Sequence, residues 1–247
     1  QEGNALLEKG ANSYLKLLAA DPKREFADKM MYNAALSLEK ARRPINAAAL
    51  YERLYKEYPS SDNAPEAMFR VASKSEQVFE FDKAVDTYLA LVKAYPKSDR
   101  RPDAQVNAAL ALEGQQKYER AAQEFERFAT LFPERPEAPD VFYQAASVHK
   151  KRGAPGAELD VLHRFIKRYE SRAAQAPKVV EAYTRMGEIY EEQAKTASDP
   201  TKARKRAGES YQAAVKHFDR ARGSPAASYF AAKSAFQLAE QDYARYA

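Results

Sequence analysis

The sequence contains no cysteine, no tryptophan and only eight glycines among its 247 residues. The absence of cysteine excludes disulfides, thiolate metal sites and cysteine nucleophiles. No uncharged apolar run approaches the roughly 18 residues that a membrane-spanning helix needs, so we expect no such helix. The N-terminal residues 1–4 do not resemble a signal peptide, although a mature protein would already have lost one.

The motifs of catalysis and cofactor binding are missing as well. The sequence has no Gly-rich phosphate loop, no nucleophile elbow and no HExxH motif. Its three histidines, His149, His163 and His217, lack the spacing of metal ligands. The position of His149 predicts a structural role between packed helices. We therefore expect neither an enzyme nor a cofactor.

The composition that remains indicates a helical protein. Hydrophobic residues make up 45% of the chain, many of them Ala, Leu and Tyr, and charged residues make up 30%. Such values are typical of an all-helical protein with a large solvated surface. The net charge of +5 is concentrated between residues 148 and 222. This excess could attract an acidic partner, or it could simply solvate the surface.

Prolines reveal an internal repeat of 37 residues. The first series is Pro22, Pro59, Pro96 and Pro133, and the second, close to the same period, is Pro65, Pro102, Pro139 and Pro177. Prolines of the first series follow amphipathic stretches, which proline ends because it lacks an N–H and clashes with the preceding turn. In the second series, Pro65, Pro102 and Pro139 precede acidic residues, a combination typical of a helix start. Each unit therefore predicts a helix A, a turn, a helix B and a break.

Apolar residues recur at helical spacing inside each unit. Helix B presents the stripes Ala47, Tyr51, Leu54; Ala84, Tyr88, Leu91; Ala121, Phe125, Phe128; and Glu158, Leu162, Phe165. Steps of four and three place each stripe on one helix face. Helix A carries a small residue, at Ala35, Ala72, Ala109, Ala146 and Gly187, which allows its partner helix to approach closely.

We therefore predict one all-α solenoid over residues 1–247. A partial repeat, the helix B of residues 1–21, precedes complete repeats at 22–59, 60–96, 97–133 and 134–170. An irregular repeat at 171–223 and a partial repeat at 224–247 follow. In the first helix, Gly10, Tyr14 and Leu17 take the places of Ala47, Tyr51 and Leu54. The chain thus starts and ends within a repeat, and Tyr243 and Tyr246 suggest an apolar face for further sequence or another subunit.

The order of small residue, Ala, aromatic, large apolar residue and Pro resembles the tetratricopeptide repeat (TPR), whose usual period is shorter. Tyr58-Pro59-Ser60-Ser61 and Tyr95-Pro96-Lys97-Ser98 resemble the TPR proteins of the Gram-negative envelope, namely outer-membrane assembly lipoproteins and Tol-Pal-associated periplasmic proteins. The resemblance implies a right-handed superhelix of hairpins. It also implies a protein-binding scaffold in the periplasm or cell envelope, with the cytoplasm as the alternative.

A solenoid of hairpins lines its concave wall mainly with helix A, which predicts a groove for a protein or peptide. Inward-pointing aromatic residues would bury area there, and neighbouring polar residues would pair with main chain or a carboxylate. The alternative is that the rings only pack between helices. The candidate residues are Tyr32, Asn33, Phe69, Arg70, Asn107, Tyr143, Gln144, Arg185 and Tyr229.

The irregular repeat carries a basic run. Ala207, Tyr211 and Ala214 restore the helix B pattern about eight residues late, which predicts an insertion. The run could bind nucleic acid or another acidic polymer, although no aromatic residues interleave it. Asp199-Pro200 could instead start a longer helix. The basic residues are Lys202, Arg204, Lys205 and Arg206.

Overall fold

The computed structural model describes residues 2–246, with the side chains of residues 245 and 246, and hence the Tyr246 ring, outside the description. Across that range the chain forms α-helices and two short 3-10 turns, and it contains no strand. The chain divides into two compact units, Gln1–Glu124 (unit 1) and Phe125–Ala247 (unit 2). The prediction of one continuous solenoid stays a prediction, and each unit is described by itself.

The helices alternate as helix A and helix B, as predicted. The A helices are α2 (Ala27–Lys40), α4 (Ala64–Gln77), α6 (Arg101–Gly114), α8 (Ala138–Arg152), α10 (Ala176–Thr196) and α12 (Pro225–Tyr246). The B helices are α1 (Glu2–Ala20), α3 (Pro44–Glu57), α5 (Phe81–Ala94), α7 (Tyr118–Leu131), α9 (Pro155–Tyr169) and α11 (Thr201–Phe218). The 3-10 turns are Ala173–Gln175 and Asp219–Ala221. An all-α array of helical hairpins is confirmed.

The predicted packing positions form the core. The small residues of helix A are buried in the four complete repeats and in the irregular repeat, and so are the stripes of α3, α5, α7 and α9. Because alanine and glycine add little bulk, the two helices of a hairpin can approach until the larger helix B side chains fill the space between them.

The stripe of α1 differs from this pattern. Leu17 is 45% exposed, and Gly10 and Tyr14 are only half-buried. Instead, Ala11 and Leu18 are buried, on the side of α1 that packs against α2. Gly10, Tyr14 and Leu17, which align with the stripe of α3, are therefore less covered than their counterparts Ala47, Tyr51 and Leu54. These positions face a hairpin partner in the other repeats, and no helix precedes α1 in the described part of the chain.

Hydrogen bonds from the Tyr-Pro-x-Ser segments connect neighbouring hairpins of unit 1. The Tyr58 hydroxyl donates to the carbonyl oxygen of Pro22 at 2.7 Å, and Tyr95 donates to Pro59 at 3.0 Å. Ser61 Oγ accepts from the backbone N–H of Asn63 at 3.2 Å, just before α4 begins. Prolines then occupy the first helical turn, as predicted. The segment therefore ends one helix and positions the start of the next. It also fixes the spacing between neighbouring hairpins of unit 1.

The turns between helix A and helix B share one left-handed residue. Arg42, Phe79, Gln116 and Gly153 all have positive φ angles, of 59–70°, and recur every 37 residues. In each turn the next residue donates its N–H to the carbonyl five residues back, for example Lys117 to Leu112 at 2.9 Å. This arrangement is the Schellman motif, which favours glycine at the left-handed position. Only the fourth complete turn has that glycine.

We expect Gln116→Gly to raise the free energy of unfolding by about 0.5–1 kcal/mol, because glycine removes the steric cost of the left-handed conformation. Gln116 is exposed, so little packing is lost. Denaturation by guanidinium, followed by circular dichroism, measures the change. The reciprocal variant, Gly153→Ala, has open space around its Cβ and should lose a similar amount. A less stable Gln116→Gly protein would contradict the assignment of strain to this turn.

The irregular repeat lengthens its helices instead of forming a protruding loop. The α10 helix has 21 residues and α11 has 18, compared with 14 in α4 and α5. The Asp199 carboxylate accepts from the backbone N–H of Thr201, the first residue of α11, at 3.0 Å. The basic run falls within α11, so the longer-helix alternative is confirmed. Ala207, Tyr211 and Ala214 are buried, as the helix B pattern predicted.

Candidate functional site

Arg70 lies between two carboxylates on the helix A face of unit 1. Its Nη1 donates to Glu39 Oε2 at 2.5 Å, on the preceding helix A, and its Nε donates to Glu66 Oε1 at 2.8 Å. Its guanidinium also lies 5.7 Å from the ring centre of Tyr51, whose hydroxyl donates to Glu39 at 3.1 Å. The predicted polar group is therefore already paired within the protein.

The row of charges continues along the same face. Arg100, just before α6, donates to the second oxygen of Glu66 and lies 5.1 Å above the ring of Phe69. Further along, Asn107 donates to the Tyr88 hydroxyl at 3.4 Å, and that hydroxyl donates to Glu76 at 2.8 Å. Residues from successive A helices thus form a row of alternating charges beside half-buried rings. We call Glu39, Glu66, Arg70 and Arg100 the unit 1 charge row.

In unit 2, a more deeply buried set of ion pairs joins α9, a B helix, to the A helices α10 and α12. Both oxygens of Glu158 accept from Arg185, at 2.6 and 3.0 Å, and the Glu158 side chain is only 3% exposed. Arg185 also donates to Glu188 at 3.0 Å, and Lys233 of α12 contacts Glu188 at 2.6 Å. Burial alone would raise the pKa of Glu188, but hydrogen bonds from Lys233 and Arg185 hold it below its usual range. We call these four residues the unit 2 charge row.

Tyr143 lies close to this row. Burial, with the negative charges of Glu181 and Glu158, raises the pKa of Tyr143 well above its ordinary value. The ammonium of Lys178 lies 5.1 Å from the ring centre of Tyr143 and 3.2 Å from Asp140. A half-buried ring framed by fixed charges presents a surface that can both bury area and orient polar groups of a ligand.

The predicted aromatic residues pack between helices. Tyr32 meets Tyr51, Phe69 meets Tyr88 and Tyr143 meets Phe165, with ring centres 5.3–5.7 Å apart in each pair. All three rings remain half-buried, so an edge of each stays accessible. Most of each ring therefore packs between helices, as the packing alternative predicts. The accessible edge can still contact a ligand, so the binding role stays a prediction.

The other predicted residues have different surroundings. Asn33 is exposed and Gln144 is half-buried, whereas Tyr229 is 62% exposed on α12.

Sequence reasoning missed the carboxylate partners of Arg70 and Arg185. One signal was available: Glu158 occupies a position that holds alanine in the other stripes, and a charge at a core position implies a buried partner.

The basic run lies along the exposed first half of α11. The Arg206 guanidinium lies 5.6 Å from the ring centre of Tyr190, and Lys205 contacts Glu209 at 3.9 Å. Arg204 and Lys205 line one wall of a cleft whose other wall, on α12, includes Glu240 and Asp242. The cleft therefore carries both signs of charge, which weakens its attraction for a polyanion.

The histidines serve packing and local pairing. His149 is buried, as predicted, and burial lowers its pKa below the usual range. His217 stacks on Tyr183 and contacts Glu170 at 2.9 Å. Burial and Glu170 together raise the pKa of Tyr183 to about 12.

Within residues 2–246, no group of His, Asp and Glu side chains is arranged to hold a metal ion. No helix in the described part of the chain is long and apolar enough to cross a membrane.

Several solved structures resemble this chain. A structure of Naa15/Naa10 bound to HypK-THB aligns over 96% of this chain and 32% of that chain, with 17% identity and a TM-score of 0.53. YrrB, described as a TPR protein with an unusual peptide-binding site, aligns over 89% and 97%, with 15% identity and a TM-score of 0.46. BtubC from P. vanneervenii aligns over 90% and 92%, with 14% identity and a TM-score of 0.45. The likeness to the first structure shows the fold. No curated protein sequence matches the chain significantly.

Two family matches agree with the repeat architecture. A tetratricopeptide repeat family matches residues 29–61, which contain the hairpin of α2 and α3. A family described as outer membrane lipoprotein, YfiO, matches residues 62–191. Both are repeat families of generally non-catalytic interaction scaffolds. Because the second match spans more than half of a chain that folds into tetratricopeptide hairpins, this chain belongs to the YfiO outer membrane lipoprotein family.

Proposed function

We propose that this chain is a non-catalytic adaptor of the bacterial cell envelope, which binds a protein or peptide along the faces of its A helices. The observation that carries the proposal is the recurrence, in both units, of half-buried rings beside a row of fixed charges. Aromatic and arginine side chains are the residues that contribute most to protein interfaces. The family supports an envelope location and a protein partner.

The charge rows favour a partner whose own charges are complementary to them along an extended surface. Arg70 and Arg185 are held by Glu39 and Glu158, so neither guanidinium is available without breaking an internal pair. A partner is therefore expected to meet a preorganised surface of alternating charges and to gain affinity from ring edges such as that of Tyr32. Preorganisation reduces the ordering cost of binding, since the side chains are already fixed.

Photo-crosslinking in living cells tests the binding face. A photoreactive amino acid placed at Asn33 or Gln144, on the A helices, should give one discrete covalent adduct with a partner. The same amino acid at Asp86 or Lys167, which are exposed on B helices, provides the matched controls. Adducts from the control positions alone, or from no position, would reject the helix A face. Because all four positions are solvent-accessible or nearly so, the fold should survive each replacement.

The envelope location has its own test. The full-length gene product should be found in the periplasmic or membrane fraction and should resist protease until the outer membrane is opened. Recovery in the cytoplasmic fraction would reject the envelope part of the proposal and leave the binding face untouched.

A further inference from the structure

The first and last helices each present an open apolar stripe. On α12, Tyr229, Phe236 and Tyr243 are 62%, 59% and 76% exposed and recur every seven residues, so they share one face of the helix. On α1, Leu6 and Leu17 are exposed on the face that also carries Gly10 and Tyr14. We call these the α12 stripe and the α1 stripe.

The repeat shows what the α12 stripe is shaped to contact. In the preceding hairpin, Gly187 and Glu191 of α10 face Tyr211 of α11, whose hydroxyl donates to Glu191 at 2.9 Å. Aligned by the repeat, these two positions are Ala232 and Phe236 of α12. The stripe is therefore the surface that an A helix uses to contact its own B helix, and no B helix follows α12 in the described chain.

The α1 stripe is the complementary surface. Gly10, Tyr14 and Leu17 align with Ala47, Tyr51 and Leu54 of α3, all three of which are buried. Tyr51 meets Tyr32 and Glu39 of the A helix in its own hairpin. The α1 stripe is therefore the surface that a B helix uses to contact its own A helix. Within the described residues, α12 thus lacks a B helix and α1 lacks an A helix.

The lengths of the two helices also match. In an antiparallel hairpin, the C-terminal end of helix A lies beside the N-terminal end of helix B. The α12 helix runs to Tyr246, although the position equivalent to the end of α2 is Gln237, and α1 begins at Glu2, although the position equivalent to the start of α3 is Leu7. Both extensions fall at the ends that would lie side by side. There Tyr243 would lie level with Leu6.

We propose that α12 of one copy packs against α1 of a second copy and completes a hairpin between two chains. Tyr14 of one copy then covers Ala232 of the other, as Tyr211 covers Gly187 within one chain. The contact is heterologous, because different surfaces of the two copies meet. It reuses a packing arrangement that the chain already forms within each unit, for example between α2 and α3 and between α10 and α11.

Two variants with one charge each test the proposal. Leu17→Glu blocks the α1 stripe and Phe236→Glu blocks the α12 stripe. In sedimentation velocity, the unmodified protein should gain mass with concentration beyond the 27.8 kDa of one chain, whereas each variant alone should stay monomeric. A 1:1 mixture of the two variants should form a dimer, because each copy supplies the stripe that the other lacks. Ile45→Glu, at a still more exposed apolar residue outside both stripes, should behave like the unmodified protein.

These measurements distinguish the contact between α12 and α1 from a contact between two α12 helices and from a contact with a different partner. If Leu17→Glu still associates alone, α12 pairs with α12 and the proposal is wrong. If the unmodified protein stays monomeric at every concentration, another partner covers these stripes and the proposal is also wrong. Retained helical circular dichroism in each variant confirms that loss of association is not loss of folding.

Crosslinking provides a second measurement of the same contact. Because the chain has no cysteine, Leu17→Cys mixed with Tyr229→Cys should crosslink with a short bismaleimide. Asn12→Cys is the matched control, since Asn12 is exposed on the side of α1 away from the stripe and should not crosslink to Tyr229→Cys. Equal crosslinking from positions 12 and 17 would mean that the α1 stripe is not the contact surface.

Discussion

Replacement of Arg185 by glutamine is expected to lower the free energy of unfolding of unit 2 by about 3 kcal/mol. Glu158 is almost fully buried, and both of its oxygens accept hydrogen bonds from this one guanidinium. Without Arg185, a carboxylate remains in the core with no compensating charge.

A compensating variant follows from the repeat. Glu158 stands where α7 has Ala121, and Arg185 stands where α8 has Gln144. The double variant Glu158→Ala, Arg185→Gln therefore introduces residues that the chain already carries at the equivalent positions. Because it removes both charges together, the double variant should recover most of the stability that the single variant loses. Guanidinium denaturation of the unmodified protein, Glu158→Ala, Arg185→Gln and the double variant completes a double-mutant cycle and measures the coupling.

Arg70→Gln is the matched control, because the carboxylates paired with Arg70 are less buried than Glu158. Glu39 and Glu66 are 26% and 19% exposed and can regain water when Arg70 is removed. The cost should therefore be about 1 kcal/mol, closer to that of a surface pair. Equal losses at Arg70 and Arg185 would contradict the view that burial of the carboxylate sets the energy. The comparison also matters for binding studies. An Arg185 variant that no longer binds a partner protein could have lost binding because unit 2 has unfolded.

The repeat was the part of the fold that could be predicted from sequence, because its period is carried by prolines and alanines whose effects are local. Pro59 and Pro65 act through their own backbone geometry, and Ala35 acts through its own small size. The left-handed turn residues Arg42, Phe79 and Gln116 gave no local signal. Their conformation is imposed by the hairpin and not preferred by the residue.

The candidate site was harder to predict, because ion pairs join residues that are distant in sequence. The alignment placed Arg70 on helix A correctly, but nothing local to Arg70 identifies Glu39, which lies 31 residues earlier. Periodicity indicates which face a residue occupies, and pairing depends on the rotamers of two side chains on different helices. The aromatic series shows the same limit, since its period fits both a binding surface and a packed interface.

Gly187→Ala is expected to lower the free energy of unfolding by about 2 kcal/mol. A Cβ at this position would lie within 2.7 Å of three ring atoms of Tyr211. The ring has no room to move, because it is fully buried and its hydroxyl is bound to Glu191. Overpacking of this kind costs about 1–3 kcal/mol or more, and the higher helix propensity of alanine returns up to about 1 kcal/mol. The loss should therefore exceed the gain.

The clash arises from the approach of α10 to α11 and not from the residue pair alone. Ala35 and Tyr51 occupy the same two positions in an earlier repeat, where both are buried without conflict. A smaller side chain opposite should then rescue the variant, so Gly187→Ala combined with Tyr211→Leu should be more stable than the sum of the two single changes predicts. Gly114→Ala, in α6 with no atom near its Cβ, should cost nothing. Thermal and guanidinium denaturation give these values, and additivity between positions 187 and 211 would show that the ring can move aside.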